Sequence, residues 1–314
     1  MKKLFLISAA VLSLPFGKGW GWALLAQQDV QFSQYMFNTE AVNAGYTGTR
    51  DALSLLALHR SQWIGFEGAP VTETFNVNAP VYNKKLGLGL CLVNDKIGPI
   101  QQTGAFADVA YRIKFESSNL SFGLKTGADV YQARLTKLSL INAADDQFQN
   151  NVSSKLLPNL GFGIYYFSKT YYIGFSTPKL VQNNINIKTG DIITAHLSAQ
   201  KMHYFLIFGY VYDISPFIKF KPSAQAKFTY GAPFSLDVNA SFLFYEKLWL
   251  GGMYRAGDAF GAMAQVQITS QLRAGYAYDY TVSKLRTYTG GTHEIMLGYD
   301  FNFSKEKIKS PRYF

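Results

Sequence analysis

The residues of this sequence that could carry out catalysis are few. The four histidines are His59, His196, His203 and His293, and Ser61 follows the first of them by two positions. Hydrolysis by a serine needs a base within hydrogen-bonding reach and an acid that orients the base. The sequence supplies no acid that completes such a set, so we interpret these side chains as polar residues without a reaction to perform. We therefore expect a protein that is not an enzyme.

Signals for metals and reactive thiols are equally incomplete. Asp145 and Asp146 stand side by side, but the ligand spacing of a calcium-binding loop is missing around them. No cluster of cysteine and histidine indicates zinc or haem. The single cysteine, Cys91, lies in an apolar run and is interpreted as a small, inert side chain. The sequence thus predicts no cofactor and no metal.

The composition narrows the class of protein. Of the 314 residues, 48% are hydrophobic, 16% are aromatic and only 16% are charged, whereas ordinary globular chains are about 25% charged. The mean hydropathy is nevertheless only -0.01. Beyond the first 30 positions no run of about 18 apolar residues occurs, which excludes a helical membrane protein.

The first 26 residues are typical of an export signal. Lys2 and Lys3 precede an apolar stretch over 4–16, and small residues stand before Gln27. A retained anchor helix is the alternative, but the apolar stretch is too short to span a membrane. Cleavage leaves 288 residues and lowers the formal net charge from +10 to +7, because three lysines are lost. Export and the lack of a basic, aromatic platform argue against nucleic acid as a partner.

The decisive pattern is an alternation with a period of two, which places successive side chains on opposite faces of a strand. Over 295–303 the odd positions are Ile, Leu, Tyr, Phe and Phe, while the even positions are Met, Gly, Asp and Asn. Over 234–244 the even positions are apolar and most odd positions are polar. Such segments are typical of strands that separate an apolar from a polar environment.

The polar face of these strands carries charges, and the apolar face ends in Tyr and Phe. This combination is the signature of transmembrane β-barrels, whose aromatic girdles lie at the two membrane interfaces. We therefore predict an all-β fold, a closed antiparallel barrel in the outer membrane, in contact with its lipids. The charges predicted to line its lumen are Asp108, Arg112, Lys125, Asp129, Lys219, Lys221, Lys227, Asp237, Arg255, Arg273, Asp279, Glu294 and Asp300.

The pattern predicts fourteen strands, at 52–60, 71–79, 86–93, 103–115, 119–131, 159–168, 170–176, 201–213, 217–230, 233–245, 247–256, 259–268, 270–281 and 292–303. An even number brings both ends of the barrel to the periplasmic side. The periplasmic turns are then all short, and the long connections, at 61–70, 94–102, 132–158, 177–200 and 281–292, are extracellular. Pro222 removes one donor from its ladder and predicts a local bulge or a break in register.

Four regions follow from these assignments. They are the signal peptide 1–26, a periplasmic N-terminal arm 27–50, the barrel 51–303 and a basic periplasmic tail 304–314. The signal for membrane insertion has two candidates, which are the terminal Phe314 and the internal alternation of Tyr299, Phe301 and Phe303.

The exported chain resembles the PorP/SprF family of outer-membrane proteins of the type IX secretion system of Bacteroidetes. The resemblance covers essentially the whole mature chain, with proline of the family replaced at Thr39 and Ala44. The motifs that carry it are Gln31–Asn38, Asn43–Gly48, Gln62–Pro70, Val93–Pro99, Lys247–Gly251, Tyr254–Asp258, Gly275–Tyr280, His293–Leu297 and Ser310–Phe314.

The resemblance implies a non-enzymatic component of protein secretion, linked to gliding motility in some relatives. Its implied partners are a periplasmic ring lipoprotein complex, a peptidoglycan-linked adaptor protein or a secreted adhesin. The alternative is a general diffusion porin or small-solute channel. Candidate periplasmic contacts are Gln31, Phe32, Gln34, Tyr35, Phe37, Lys305, Lys307, Lys309, Arg312, Tyr313 and Phe314. Candidate extracellular contacts with cargo are Trp63, Phe66, Glu67, Asp145, Asp146 and Phe148.

Overall fold

The computed structural model describes residues 30–137, 151–189 and 192–301, and strands make up most of them. In these ranges no helix has the length and apolar character needed to cross a membrane. The strands are β1 Leu53–Ser61, β2 Val71–Val81, β3 Leu86–Ile97, β4 Ile100–Lys114, β5 Ser118–Ala133, β6 Val152–Ser168, β7 Tyr171–Thr177, β8 Asn184–Thr189, β9 Ile192–Ala199, β10 His203–Tyr210, β11 Tyr212–Ser215, β12 Ile218–Thr229, β13 Ser235–Phe244, β14 Leu248–Arg255, β15 Ala259–Gln267, β16 Leu272–Thr281 and β17 Thr292–Phe301.

The sheet closes into a barrel. β1 pairs antiparallel with both β2 and β17, and β10 pairs with both β7 and β12, so the ring has no open edge. β10 and β11 are two halves of one barrel strand, whereas β8 and β9 form a separate hairpin. The barrel therefore has fourteen strands, as predicted. Closure pairs the N–H and C=O groups that would otherwise lie at the edges of an open sheet. In hydrocarbon an unpaired backbone group costs several kcal/mol.

The interruption between β10 and β11 has a cause in the neighbouring strand. The β10 ladder with β12 ends at Ser223, and the β11 ladder begins at Phe220. Pro222 lies between these two positions and has no N–H to donate. The ladder is therefore interrupted, but the prediction of a bulge or register break at Pro222 is wrong, because Gly209 pairs with Ser223 and Tyr212 with Phe220 in one register. The register shifts farther along, between Asp213 and Ser215, and on its other side Pro222 pairs regularly with Ala240.

The barrel wall alternates between two environments. On β10, Phe205 and Ile207 are buried in the lumen, whereas Leu206 and Phe208 are exposed on the outer surface that faces lipid. This alternation lets one strand satisfy the apolar membrane on one face and a packed interior on the other.

The connections are asymmetric, as predicted. Those at the periplasmic end, here called the inner end, have two to four residues, whereas the extracellular or outer end carries the connections 62–70, 134–151, 178–202 and 282–291. The expected loop 94–102 is wrong, because β3 and β4 continue to a two-residue turn at Gly98–Pro99. β5 and β6, with 16 and 17 residues, likewise extend beyond the 9–11 residues that span a membrane. The hairpin of β8 and β9 occupies part of the expected loop 177–200.

The segment before β1 lies inside the barrel. It contains a short helix α1, Thr39–Val42, and a 3-10 helix, Ala44–Tyr46. Its aromatic side chains Phe32, Tyr35 and Tyr46 pack in one core with wall residues of the barrel. The prediction of a periplasmic arm over 27–50 is therefore wrong for residues 30–50, because these side chains fill the lumen. We call residues 30–52 the plug.

Candidate functional site

The outermost attachment of the plug is a group of ionised side chains on three adjacent strands. Arg60 of β1 lies 3.1 Å from Asp279 of β16 and 3.0 Å from Glu294 of β17. Ser33 donates its hydroxyl to Asp279 at 2.5 Å and its N–H to Glu294 at 2.9 Å, and Gln34 N–H reaches Glu294 at 2.8 Å. We call these five residues the outer clamp. All five are buried, so their hydrogen bonds are charge-assisted and shielded from water.

The outer clamp continues along the wall through a second arginine. Arg255 lies 3.6 Å from Asp279 and forms a bidentate pair with Asp237, with Nε 3.0 Å from Oδ1 and Nη2 3.0 Å from Oδ2. Arginine and carboxylate alternate across these strands, and a bidentate pair fixes orientation as well as charge. The wall on this side is thus rigid where it holds the plug.

The middle of the plug bonds through amides and one carboxylate. Asn38 contacts Asn76 at 2.6 Å, and Glu40 Oε2 accepts from Asn78 Nδ2 at 2.5 Å. Glu40 belongs to α1 rather than to a spanning strand. The pKa of Glu40 is raised from its ordinary 4.5 to about 8, chiefly by burial and also by the carboxylate of Asp108, while Lys125 and the hydrogen bond from Asn78 oppose the shift. The protonated form of Glu40 is therefore favoured in the lumen.

Aromatic side chains hold the plug from two sides. The ring of Tyr46 meets Tyr165 edge-on with centroids 5.5 Å apart, and Tyr165 stacks on Tyr172 at 5.7 Å. On the other side Phe37 packs 6.1 Å from Trp249, and the ammonium group of Lys221 lies over both rings. Such contacts add specific geometry to the apolar area that they bury.

Glycines in the wall create the space for the plug backbone. A methyl group added at Gly123 would collide with the backbone of Ala44 and Gly45, and one at Gly87 would collide with Thr47. One at Gly163 would collide with the amide of Asn43. At these three positions the missing side chain leaves room for the plug to pass close to the wall.

The inner end of the plug is held by a second set of charges. Arg50 lies 2.9 Å from Asp300 of β17, and Arg273 of β16 lies 2.5 Å from the same carboxylate. Asp51 pairs with Arg112 of β4 at 2.7 Å. These pairs fix the chain where it leaves the lumen and begins β1.

Successive residues of the plug contact the wall at positions progressively farther from its outer end. Gln31 bonds to Ser235, the outer-end residue of β13, and Ser33 bonds to side chains one or two residues from the outer ends of β1, β16 and β17. Arg50 bonds to Asp300, one residue from the inner end of β17. The plug therefore crosses the barrel from its outer mouth to its inner end.

A cavity of about 60 Å³ lies between the plug and the wall. It is lined by Val30 and Phe32 of the plug and by Phe106, Lys179 and Phe205 of the wall.

The predicted site residues fall into three groups. Phe32, Gln34 and Tyr35 are buried in the lumen, and Gln31 and Phe37 are partly buried there, so the structure does not support their prediction as periplasmic contacts. Phe66 and Glu67 are exposed in the outer connection 62–70, and Trp63 is half-buried. The predictions that fall outside the described residues concern Asp145, Asp146, Phe148, Phe303, Lys305, Lys307, Lys309, Arg312, Tyr313 and Phe314.

The thirteen predicted lumen charges all lie in the barrel wall with restricted exposure. Arg112, Lys219 and Asp300 are partly buried. The ten that are buried are Asp108, Lys125, Asp129, Lys221, Lys227, Asp237, Arg255, Arg273, Asp279 and Glu294. Sequence reasoning missed Arg60 and Glu40. The signal for a filled lumen was present on β1, where Leu56 and Leu58 make the lumen face apolar as well.

Among the catalytic candidates, His59 and Ser61 lie on the outer surface of the wall, whereas His203 is buried. His59 Nε2 is 3.0 Å from Ser61 Oγ, and His59 Nδ1 is 3.3 Å from Glu73 of β2. The side chain of Glu73 is 56% exposed, so water screens the acid that would orient the base. His293 is the register partner of Ser61 across the seam, and its Nδ1 lies 2.6 Å from the hydroxyl of Tyr276. Among the described residues no group of three or more His, Cys, Asp or Glu side chains could hold a metal ion.

A plugged, charge-lined barrel agrees with the family comparison. The sequence profile of the family described as type IX secretion system membrane protein PorP/SprF matches residues 24–299. The chain belongs to this family. It is therefore a membrane component of the type IX secretion system, located in the outer membrane, and a member of a secretion complex. No curated protein sequence matches the chain.

Solved structures with a similar outline are outer-membrane barrels. Omp33 of Acinetobacter baumannii is 8% identical over 80% of this chain and 100% of its own, with a TM-score of 0.46. The monoaromatic hydrocarbon channel CymD is 8% identical over 86% and 93%, with a TM-score of 0.49. Outer membrane phospholipase A from Escherichia coli is 10% identical over 83% and 99%, with a TM-score of 0.38. These similarities are too low to inform function.

Proposed function

We propose that this PorP/SprF barrel is a non-enzymatic docking component of the secretion machinery and not a diffusion channel. In this proposal its periplasmic end binds a ring lipoprotein complex or an adaptor linked to peptidoglycan. Its extracellular end retains secreted cargo, such as an adhesin, at the cell surface. In cells whose secretion machinery also drives gliding motility, the same contacts support gliding. The barrel anchors these contacts in the membrane.

The observation that carries the proposal is the plug. A diffusion porin needs a continuous aqueous path, and wide barrels provide one when the lumen is left free. Here the plug crosses the lumen. Its outer end is held by hydrogen bonds from Ser33 and Gln34 to buried carboxylates of the wall, and its inner end by the ion pair of Arg50 with Asp300. Because the plug occupies the lumen, the two ends of the barrel are the surfaces suited to binding partners.

The proposed periplasmic contact lies on the tail 304–314 and the adjacent inner turns. Lys305, Lys307, Lys309 and Arg312 give the tail a positive charge that an acidic partner surface would attract. Since the plug residues are buried, the tail is the remaining candidate among the two segments predicted to bind the ring.

Deletion of residues 304–314 tests the periplasmic half of this proposal. We expect the shortened barrel to insert normally, shown by heat-modifiable migration, but to lose co-purification of the ring components after crosslinking. A matched control replaces Lys284 and Arg286 of an outer connection by Gln. Unchanged recovery of the ring with the deletion variant would contradict the proposed contact.

Planar-bilayer conductance tests the choice between docking barrel and porin. We expect the purified wild-type barrel to show no steady pore, because the plug fills the lumen. Steady ion conductance of the wild-type protein would favour the porin.

Replacement of Phe66 and Glu67 by Ala tests the extracellular half of the proposal. We expect this variant to release surface adhesin into the medium while the amount of folded barrel stays the same.

A further inference from the structure

A cavity of about 400 Å³ lies between the outer connection 62–70 and the barrel wall. The wall contributes Ser61, Val71 and Lys96 to its lining, and the connection contributes Trp63 among others. Sites for small molecules in proteins have volumes of about 300–1,000 Å³. The cavity is therefore large enough for a small organic ligand.

The wall residues of this cavity lie on the face of the sheet that points away from the lumen. Side chains alternate along β2, and Thr72 is buried inside the barrel, so its neighbour Val71 faces outward. Val71 is the register partner of both Ser61 and Lys96, so all three residues share the outward face. The outward face of a membrane barrel is the face that meets lipid.

The cavity lies beyond the apolar band of the wall. Two residues farther inward along the strands, the outward-facing side chains are polar and bonded to one another; they are His59, Glu73, Asn94 and Thr103. The exposed apolar surface begins after them, with Phe75 beside its register partner Leu92. Phe75 is four residues from Val71, which is roughly 14 Å along an extended strand. The cavity is thus level with lipid headgroups rather than with acyl chains.

The outer connection 62–70 is fixed on both sides of the cavity by backbone hydrogen bonds. Ile64 donates its N–H to the carbonyl oxygen of Gly291 at 2.8 Å. On the other side, Gly98 in the turn between β3 and β4 donates its N–H to Gly68 at 2.9 Å. The cavity is therefore formed before a ligand arrives, and binding requires little further ordering of the chain.

The groups around the cavity match an anionic sugar. The aromatic ring of Trp63 offers an apolar surface to the C–H face of a sugar ring, and Gln62 and Ser61 offer hydrogen bonds to its hydroxyl groups. Lys96 is exposed and is the charged side chain among the described residues of the lining. Its ammonium group suits a phosphate or carboxylate, because hydrogen bonds between ionised partners are the strong ones.

We propose that this cavity binds the anionic sugar headgroup of a glycolipid in the outer leaflet of the membrane. Lys96 pairs with a phosphate or carboxylate of the headgroup, and Trp63 packs against a sugar ring. The acyl chains of the same lipid lie along the apolar surface at Phe75 and Leu92. The site goes beyond the docking function proposed above, since it joins the outer connection 62–70 to the membrane instead of to a protein.

Native mass spectrometry of the purified barrel tests this site. The protein in detergent is mixed with diphosphorylated lipid A, or with phosphatidylglycerol as an anionic lipid that has no sugar, and the fraction of barrel that carries each lipid is measured. The variants are Lys96→Gln and Ala69→Phe, the second of which fills the cavity. Lys114→Gln is the matched control, because Lys114 is exposed at the inner end of β4. Heat-modifiable migration shows that each variant is folded.

We expect the wild-type barrel to bind lipid A in preference to phosphatidylglycerol. Loss of one charge-assisted contact in K96Q should weaken lipid A binding roughly tenfold or more, whereas K114Q should bind as wild type does. A69F should weaken binding as well, and K96Q alone decides the test if A69F does not fold.

Equal binding of the two lipids by the wild-type barrel would overturn the proposal, as would unchanged lipid A binding by folded K96Q. Release of secreted adhesin from cells that carry K96Q, with lipid A binding unchanged, would assign the cavity to a protein partner instead. The binding assay contains neither ring components nor cargo. A negative result therefore removes the glycolipid site and leaves the docking proposal to its own tests.

Discussion

Arg60 and Glu294 face each other directly across the seam where the first and last strands of the barrel meet. They are register partners in the β1–β17 ladder, and Nη1 of Arg60 lies 3.0 Å from Oε2 of Glu294. The same carboxylate accepts the backbone N–H groups of Ser33 and Gln34. The pair therefore joins the two ends of the sheet to the plug.

Substitution of Arg60 by Met should destabilise the folded barrel strongly. It leaves Asp279 and Glu294 buried without their shared cation, and breaking one side of a buried pair costs about 3–5 kcal/mol. Urea unfolding of the purified barrel, followed by its heat-modifiable migration, measures this loss. Arg286→Met in an exposed outer connection is the matched control. Equal stability of R60M and R286M would show that the clamp does not hold the barrel.

A side chain at Gly123 should displace the plug without unfolding the wall. The Cβ of Gly123→Val meets backbone atoms of Ala44 and Gly45, which cannot move aside as a flexible side chain would. Overpacking costs about 1–3 kcal/mol, which corresponds to roughly fivefold to 150-fold faster cleavage of the plug by protease.

Gly252 provides the control for this experiment, because it faces outward and an added Cβ meets only Gly261 O at 3.8 Å. Gly252→Val should leave the cleavage rate unchanged. If both valine variants were cleaved at the wild-type rate, the glycines of the lumen would not be required for the fit of the plug.

The barrel should lose stability as the pH rises, and Glu40 should cause part of this loss. Burial raises the pKa of Glu40 from 4.5 to about 8, so the stabilisation is fully present below pH 4.5 and is lost as the pH rises through 8. Glu40→Gln keeps an acceptor for Asn78 but cannot ionise. We expect the difference in melting temperature between pH 5.5 and pH 9 to be smaller in E40Q than in wild type, and an unchanged difference would contradict this assignment.

The contact between His59 and Ser61 should have no catalytic consequence. The acid that bonds to His59 is exposed to solvent, so it cannot fix the base in the way a buried carboxylate does. We expect no labelling of Ser61 by a fluorophosphonate probe and the same ester hydrolysis by wild-type protein and Ser61→Ala. Labelling that disappears in S61A would show that the protein is an enzyme after all.

The strands could be predicted from the sequence because lipid and lumen impose opposite demands on neighbouring residues. This signal fails where the strands leave the membrane. Asn94, Asp95 and Lys96 are polar and were assigned to a loop, yet they continue the ladder of β3, because pairing in water needs no apolar face.

The plug could not be predicted from local pattern. Residues 30–52 do not alternate with a period of two. A Ser or Gln is as common on a protein surface as in such a buried polar contact, so its type alone does not reveal that it is buried. Only the wall reveals the difference, through apolar residues on the lumen face such as Leu56 and through arginine and carboxylate on facing strands. Reading those signals requires knowing which strands are adjacent, and adjacency of β1 and β17 follows only from closure.

Both seam strands, β1 and β17, bind the plug, and this limits the order in which the barrel can assemble. Arg60, Asp279 and Glu294 are satisfied together only when the segment is already inside the curving sheet at the moment the two edges meet. Closing the ring first would bury three ions without the backbone donors of Ser33 and Gln34. Assembly in that order is unfavourable, so the chain tends to complete its cylinder around a filled interior.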